Sequence, residues 1–162
     1  MKLFLHQQKL LDVNPSKHLL AWDMGTGKTL AVIELAKKNG VRPLVIYPKA
    51  LDKQWRLRME ENGITDYLGI TKETFRRDYK KLGRYDAVIV DEAHFFGNYK
   101  SQMAKALGWY LDAYKPRYAW FLSGTPYLST AWNIWTLGRL LGASGGVWGY
   151  RAFKEKFFYE VR

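Results

Sequence analysis

The chain has 162 residues, of which 48% are hydrophobic, with a formal net charge of +11; that is one sizeable core rather than two domains, and too apolar for a disordered tail. It contains no cysteine, which excludes disulfides and thiolate metal centres, and His6, His18 and His94 lack the spacing of a zinc site. No apolar run approaches the ~20 residues that span a bilayer, and the start "MKLFLHQQKLLD" is too short and polar for a signal peptide, so a soluble intracellular protein without a membrane partner is expected.

In chain order, Leu3 to Leu11 reads as a short helix stopped by Asn14-Pro15. His18 to Trp22 reads as a buried strand. Lys28 to Lys38 has helical spacing, with Leu30, Ile33 and Ala36 on one face and Asn39-Gly40 at its end. Leu44 to Tyr47 is strand-like, Leu51 to Glu60 helical and Tyr67 to Ile70 a further strand. A basic helical stretch, Lys72 to Lys81, follows. Ala87 to Val90 is the clearest strand, a continuous apolar run suited to a sheet covered on both faces. Lys100 to Tyr114 reads as a helix, "RYAWFLSGTP" as a buried strand ending in a turn, and Ala131 to Leu141 and Tyr150 to Tyr159 as helices. The alternation predicts an α/β fold with a mostly parallel sheet between helical layers. Ligands of such sheets sit beyond the carboxyl ends of the strands.

The chemically suggestive residues all follow strands. Gly25-Thr26-Gly27-Lys28-Thr29 lies between a strand and a helix. Glycines let the backbone curl so that helix-start N–H groups converge on phosphate oxygens. Lys28 would neutralise the β and γ phosphates, and the Thr29 hydroxyl would ligate magnesium. Asp91 and Glu92 follow the strand "VIV". Successive residues of an extended chain point opposite ways, so Asp91 can hold magnesium while Glu92 orients and deprotonates water. Ser123 and Thr125 in "FLSGTP" offer hydroxyls, although a glycine-proline turn uses these residue types anyway. Gln7 or Gln8 in "FLHQQ" carries both a donor and an acceptor for an adenine edge; a surface glutamine is the plain alternative.

Together these stretches resemble, in order, the first RecA-like domain of the superfamily 2 helicases. More narrowly, they resemble the Swi/Snf-type double-stranded DNA translocases. "LAWDMGTGKT" is similar to the family's motif I and "PLVIYPKALDKQW" to motif Ia. "LGITKETF" is similar to motif Ib, "DEAH" to motif II, and "LSGTPYLSTAWNIWTLGRLL" to motif III. "LFLHQ" is similar to the family's Leu-x-Pro-x-Gln. The resemblance implies a RecA-like P-loop nucleoside triphosphatase using ATP and Mg2+. It implies nucleotide contacts by Gln7, Met24, Gly25, Thr26, Gly27, Lys28 and Thr29, and metal contacts by Thr29 and Asp91. It implies hydrolysis by Lys28, Asp91 and Glu92, and coupling of nucleotide state to the track through His94, Ser123 and Thr125. Lys49, Thr71 and Lys72 fall where the family touches the nucleic-acid backbone, and Arg76 and Arg77 extend that basic stretch. The chain departs from the pattern at Leu5, Trp22, Ser129 and Thr130.

Such motors place ATP between two RecA-like lobes, and the second lobe supplies arginines. Residues 1–162 are expected to encode the first lobe alone, with weak isolated turnover unless a separate chain or a second copy completes the site. A competing reading is a non-hydrolysing module that binds nucleotide, DNA or a protein partner. A small kinase would need a lid and an acceptor pocket, and neither is visible. The cluster Lys72, Arg76, Arg77, Lys80, Lys81 and Arg84 is either a solvated face or a duplex-contacting one. Trp109, Tyr110, Tyr114, Trp120 and Phe121 are expected in the core. The aromatics Trp132, Trp135, Trp148, Phe153, Phe157 and Phe158 are either packed core or an exposed docking patch.

Overall fold

The computed structural model describes residues 3–125 and 131–157, without the side chains of Val147 and Phe157. Five strands form one sheet: β1 Lys17–Leu20, β2 Pro43–Tyr47, β3 Leu68–Thr71, β4 Ala87–Val90 and β5 Tyr118–Leu122. Their spatial order is β1-β5-β4-β2-β3, and every pairing is parallel. Seven α-helices accompany them among the described residues: α1 Leu5–Val13, α2 Lys28–Asn39, α3 Asp52–Glu61, α4 Lys72–Asp78, α5 Gln102–Tyr114, α6 Ala131–Leu140 and α7 Tyr150–Phe157.

The strand sequences explain the layering. Residues of β2, β4 and β5 are buried throughout, so both faces of the sheet are covered. Side chains alternate between faces with period two. Val45, Tyr47, Ile89, Trp120 and Leu122 therefore point into one core, with Ala31, Ile33, Trp55 and Met59. Leu44, Ile46, Val88, Val90 and Phe121 point into the other, with Phe75, Leu107, Tyr110 and Leu137. Helices α2 and α3 cover the first face, and α4, α5 and α6 the second. This is the expected RecA-like α/β architecture.

The strand order positions the site. β1, β5 and β4 are adjacent, although far apart in sequence. The turns after them carry the glycine loop, Ser123 and Asp91. The next strands along the sheet, β2 and β3, lead to Lys49 and Thr71. Residues 25–29, 123, 91, 49 and 71 thus follow one another along a single carboxyl edge.

Several expectations need adjustment. β1 ends at Leu20, and Ala21-Trp22 already belong to the loop. α2 buries Ala31, Val32, Ile33, Leu35 and Ala36, a wider face than the expected stripe, because it packs against both the sheet and α1. The basic stretch is not one helix: α4 ends at Asp78, and Tyr79–Lys81 form a 3-10 turn. Trp109, expected in the core, is 40% exposed, because it lies at the outer edge of α5 against Tyr79 and Tyr114. Trp132 stacks on Tyr150 and meets Trp135 edge-on, Trp135 meets Tyr150 edge-on, Phe153 lies tilted against Trp132, and both tryptophans also meet Tyr99. Phe153 is buried within that cluster, while Tyr150 remains 51% exposed. Ser129, Thr130, Phe158 and Tyr159 lie outside the described residues.

Candidate nucleotide and nucleic-acid site

The loop after β1 is shaped by two left-handed glycines, Gly25 at φ 77° and Gly27 at φ 79°. Residues with a Cβ seldom adopt this region, and here it turns the chain into α2. Gly27 is the N-cap of α2 and has no side chain to satisfy the first N–H groups. Those donors stay free for an anion, and the helix dipole favours one. Lys28 and Thr29 open the helix. The Lys28 ammonium donates to the loop's own carbonyls, Trp22 O at 2.8 Å and Asp23 O at 2.9 Å. Thr26 Oγ1 donates to Asp23 O at 2.7 Å. Met24 is 87% exposed at the loop tip.

Gln7 sits behind this loop and is buried. Its amide donates to Gly27 O at 3.1 Å, and its carbonyl accepts from Phe4 N at 2.8 Å. It thereby fastens α1 to the loop. Gln8, by contrast, is exposed and donates to Asp12. His6 Nε2 lies 2.9 Å from Thr26 O, and its ring meets Trp22 edge-on at 4.7 Å. In the sequence, nothing beyond its place one residue before Gln7 in "FLHQQ" marks His6 for this loop contact.

At the end of β4, Asp91 is held by two donors. Trp55 Nε1 gives to Oδ2 at 2.8 Å and Glu92 N to Oδ1 at 2.8 Å. Burial pushes the Asp91 carboxyl above the ordinary aspartate range, while these donors and the nearby Lys28 charge pull the other way. Glu92 has φ 48° and ψ 50°, a left-handed conformation that costs a residue with a Cβ about 1–2 kcal/mol. The kink separates the Asp91 and Glu92 directions and starts a 3-10 turn, Ala93–Phe96.

That turn presents His94 to the end of β5. Its Nδ1 lies 3.2 Å from Glu92 Oε2 and 3.3 Å from Ser123 Oγ. Ser123 Oγ in turn accepts from Thr125 N at 3.3 Å. The expected coupling residues therefore form one chain from Glu92 to Thr125. A Cβ placed on Gly124 would stand 3.7 Å from Lys28 Nζ, so the β5 turn lies directly against the start of α2.

The nucleic-acid candidates divide. Lys49 is exposed in a 3-10 turn after β2, one strand over from Thr71. The Thr71 hydroxyl is already used as the N-cap of α4, accepting from Thr74 N. Lys72 lies over the Phe95 ring at 4.5 Å and is paired with Glu73. That contact joins α4 to the turn bearing His94. Arg76 is exposed, and Arg77 is paired with Asp78 at 2.7 Å.

These residues can accept a magnesium nucleotide. A threonine hydroxyl and a carboxylate are the hard oxygen donors that magnesium takes. No cluster of three or more metal-ligating acids or histidines exists among the described residues. No helix among the described residues is long and apolar enough to cross a membrane.

The sheet order and the loop geometry define a RecA-like α/β domain. The chain belongs to the SNF2-related domain family, whose model matches residues 63–161, more than half of it. It is similar to the solved SWI2/SNF2 ATPase core of Sulfolobus solfataricus in complex with dsDNA. That match has 26% identity and a TM-score of 0.75, and covers 97% of this chain and 39% of that one. It is also 27% identical over 170 residues to the "Probable global transactivator" of Orgyia pseudotsugata multicapsid polyhedrosis virus, covering 83% of this chain and 33% of the relative. The chain thus spans between a third and two fifths of the length of these relatives.

Proposed function

We propose that this domain binds Mg-ATP along its carboxyl edge and serves as the first lobe of a Swi/Snf-like, DNA-dependent ATPase. The observation that carries the reading is the meeting of neighbouring strand ends: a Cβ on Gly124 in the β5 turn would stand 3.7 Å from Lys28 Nζ, and the Lys28 charge also acts on Asp91 at the end of β4, the strand beside β5. In this reading Gly25, Thr26 and Gly27 offer backbone N–H groups to phosphate oxygens. Lys28 leaves the carbonyls of Trp22 and Asp23 for the β and γ phosphates. Thr29 and Asp91 would hold the metal, which would supply positive charge against the phosphate oxygens. Glu92 accepts a proton from the attacking water, and His94 holds its carboxylate in place.

Lys49 and Arg76 contact the duplex backbone, with Thr71, Lys72 and Arg77 lining the same side. The likeness to a core solved with dsDNA supports this assignment. A second RecA-like lobe is the proposed partner, because translocation needs two lobes closing around nucleotide. Its arginines are worth ~10³–10⁵ in rate in phosphoryl transfer, so turnover by one lobe is expected to be slow.

The test is calorimetry and turnover with magnesium and duplex present. Lys28→Ala is expected to abolish nucleotide binding, whereas Glu92→Gln keeps binding and drops turnover to background. Unchanged turnover in Glu92→Gln would overturn the assignment of the base. Tight nucleotide binding with no turnover, even with a second lobe added, would favour the non-hydrolysing reading.

A further inference from the structure

The Trp55–Asp91 hydrogen bond lies outside every role assigned above. Trp55 is on α3, 36 residues from Asp91 in sequence, yet its indole N–H donates to Asp91 Oδ2 at 2.8 Å in a fully buried contact. Buried indoles need an acceptor, and a backbone carbonyl usually suffices. Two other tryptophans here do this: Trp120 donates to Pro15 O and Trp135 to Trp148 O. Trp55 takes a carboxylate instead.

We propose that Trp55 is a positioning residue for Asp91. It holds the carboxylate in the orientation that magnesium needs and ties that orientation to the segment bearing Lys49. The proposal rests on reading Asp91 as part of a magnesium-nucleotide site. Its geometry is specific. One donor holds each Asp91 oxygen, Trp55 on Oδ2 and Glu92 N on Oδ1, and this fixes the plane of the carboxylate. Each oxygen has two lone pairs and so keeps one acceptor position for a metal-bound water. Donors to a ligating carboxylate shape metal affinity in this way.

Trp55 itself cannot yield easily. It is 1% exposed, and its ring lies against Tyr47 at 6.3 Å with an interplanar angle of 12°. Tyr47 Oη donates to Asp52 Oδ1 at 2.8 Å, and Arg56 Nε donates to Asp52 Oδ2 at 3.0 Å. Asp52 is the first residue of α3 and directly follows the turn Lys49–Leu51. Asp52, Tyr47 and Trp55 thus form a route of contacts from that turn to Asp91. The route is short, packed and separate from the His94–Ser123 contact.

The experiment titrates magnesium into the 162-residue chain with a non-hydrolysable ATP analogue, followed by calorimetry. The unaltered chain is compared with Trp55→Phe and with 3-benzothienylalanine placed at position 55, which keeps the indole shape but replaces its N–H by sulfur. Both are expected to keep metal-free nucleotide affinity within about twofold and to lose about tenfold of the magnesium-dependent tightening, the usual scale for a lost partner of a ligating group. Full tightening in both overturns the proposal. Loss in Trp55→Phe with full tightening in the benzothienyl form also overturns it, since packing alone would then be responsible. Retained magnesium tightening in both variants leaves the nucleotide site standing. An unaltered chain that binds no magnesium nucleotide removes the site reading, and this inference with it.

Discussion

Glu92 and Asp91 show how much of the site is held against local preference. Glu92 occupies left-handed backbone, and Asp91 keeps a carboxylate in a buried position where its charged form is disfavoured. Such costs are tolerated where the surroundings fix the geometry and function uses it. The Asp91 cost has a definite sign. A carboxyl whose folded-state value lies above its unfolded one favours the folded state when protonated. That contribution is present below the unfolded value and is lost as pH rises through the folded one. In Asp91→Asn the pH-linked loss is absent. The melting temperature of Asp91→Asn, relative to the unaltered nucleotide-free chain, is therefore expected to rise as pH goes from the acid side of the ordinary aspartate range into neutrality. Paired thermal melts across that window check it. A difference that stays flat or falls would show that Trp55, Glu92 N and Lys28 match or outweigh burial.

At the level of elements, the junction of α1 with α2 is where packing and the shape of the glycine loop meet. A Cβ at Gly27 would lie 2.3 Å from Gln7 Nε2, and the left-handed backbone adds about 1–2 kcal/mol for any residue with a Cβ. Gly27→Ala is expected to destabilise by at least that amount in denaturant titrations. In a Gln7→Ala background the clash is gone, so the double variant should be less unstable than the sum by about 1 kcal/mol, within the range for touching residues. Strict additivity would show that Gln7 does not brace the loop. This junction also shows what was legible beforehand. The run of β4 and the glycine loop stood out because continuous burial and positive φ leave residue-type signatures. The role of Gln7 as a brace did not, since its partners lie 19 and 20 residues away and polar pairing leaves no periodic pattern. Trp55 carries no such signature, because nothing local marks a helix tryptophan whose acceptor lies 36 residues on, past the end of a strand. The break after Asp78 was hidden because charged residues suit an α-helix and a 3-10 turn equally.

Across the whole molecule, charge and topology act together. A net charge of +11 attracts any polyanion, so duplex affinity alone would say little about where the duplex lies. The salt dependence of affinity is more discriminating, because each phosphate neutralised contributes about one unit to the log–log slope. The sheet order sets Lys49 next to the end of β3, and α4 carries Arg76 and Arg77 back from that end. Among the described residues Arg76 and Lys49 have no ion pair, whereas Arg77 is already matched by Asp78 at 2.7 Å. Fewer counterions are released when a cation brings its own anion. Lys49→Ala and Arg76→Ala are each expected to lower the slope by about one, uniformly across duplex sequences, and Arg77→Ala to lower it by clearly less. Fluorescence anisotropy with labelled duplex over a salt series measures all three. Equal reductions would mean that Asp78 releases Arg77 on binding. No reduction in any of them would move the duplex off this edge of the sheet.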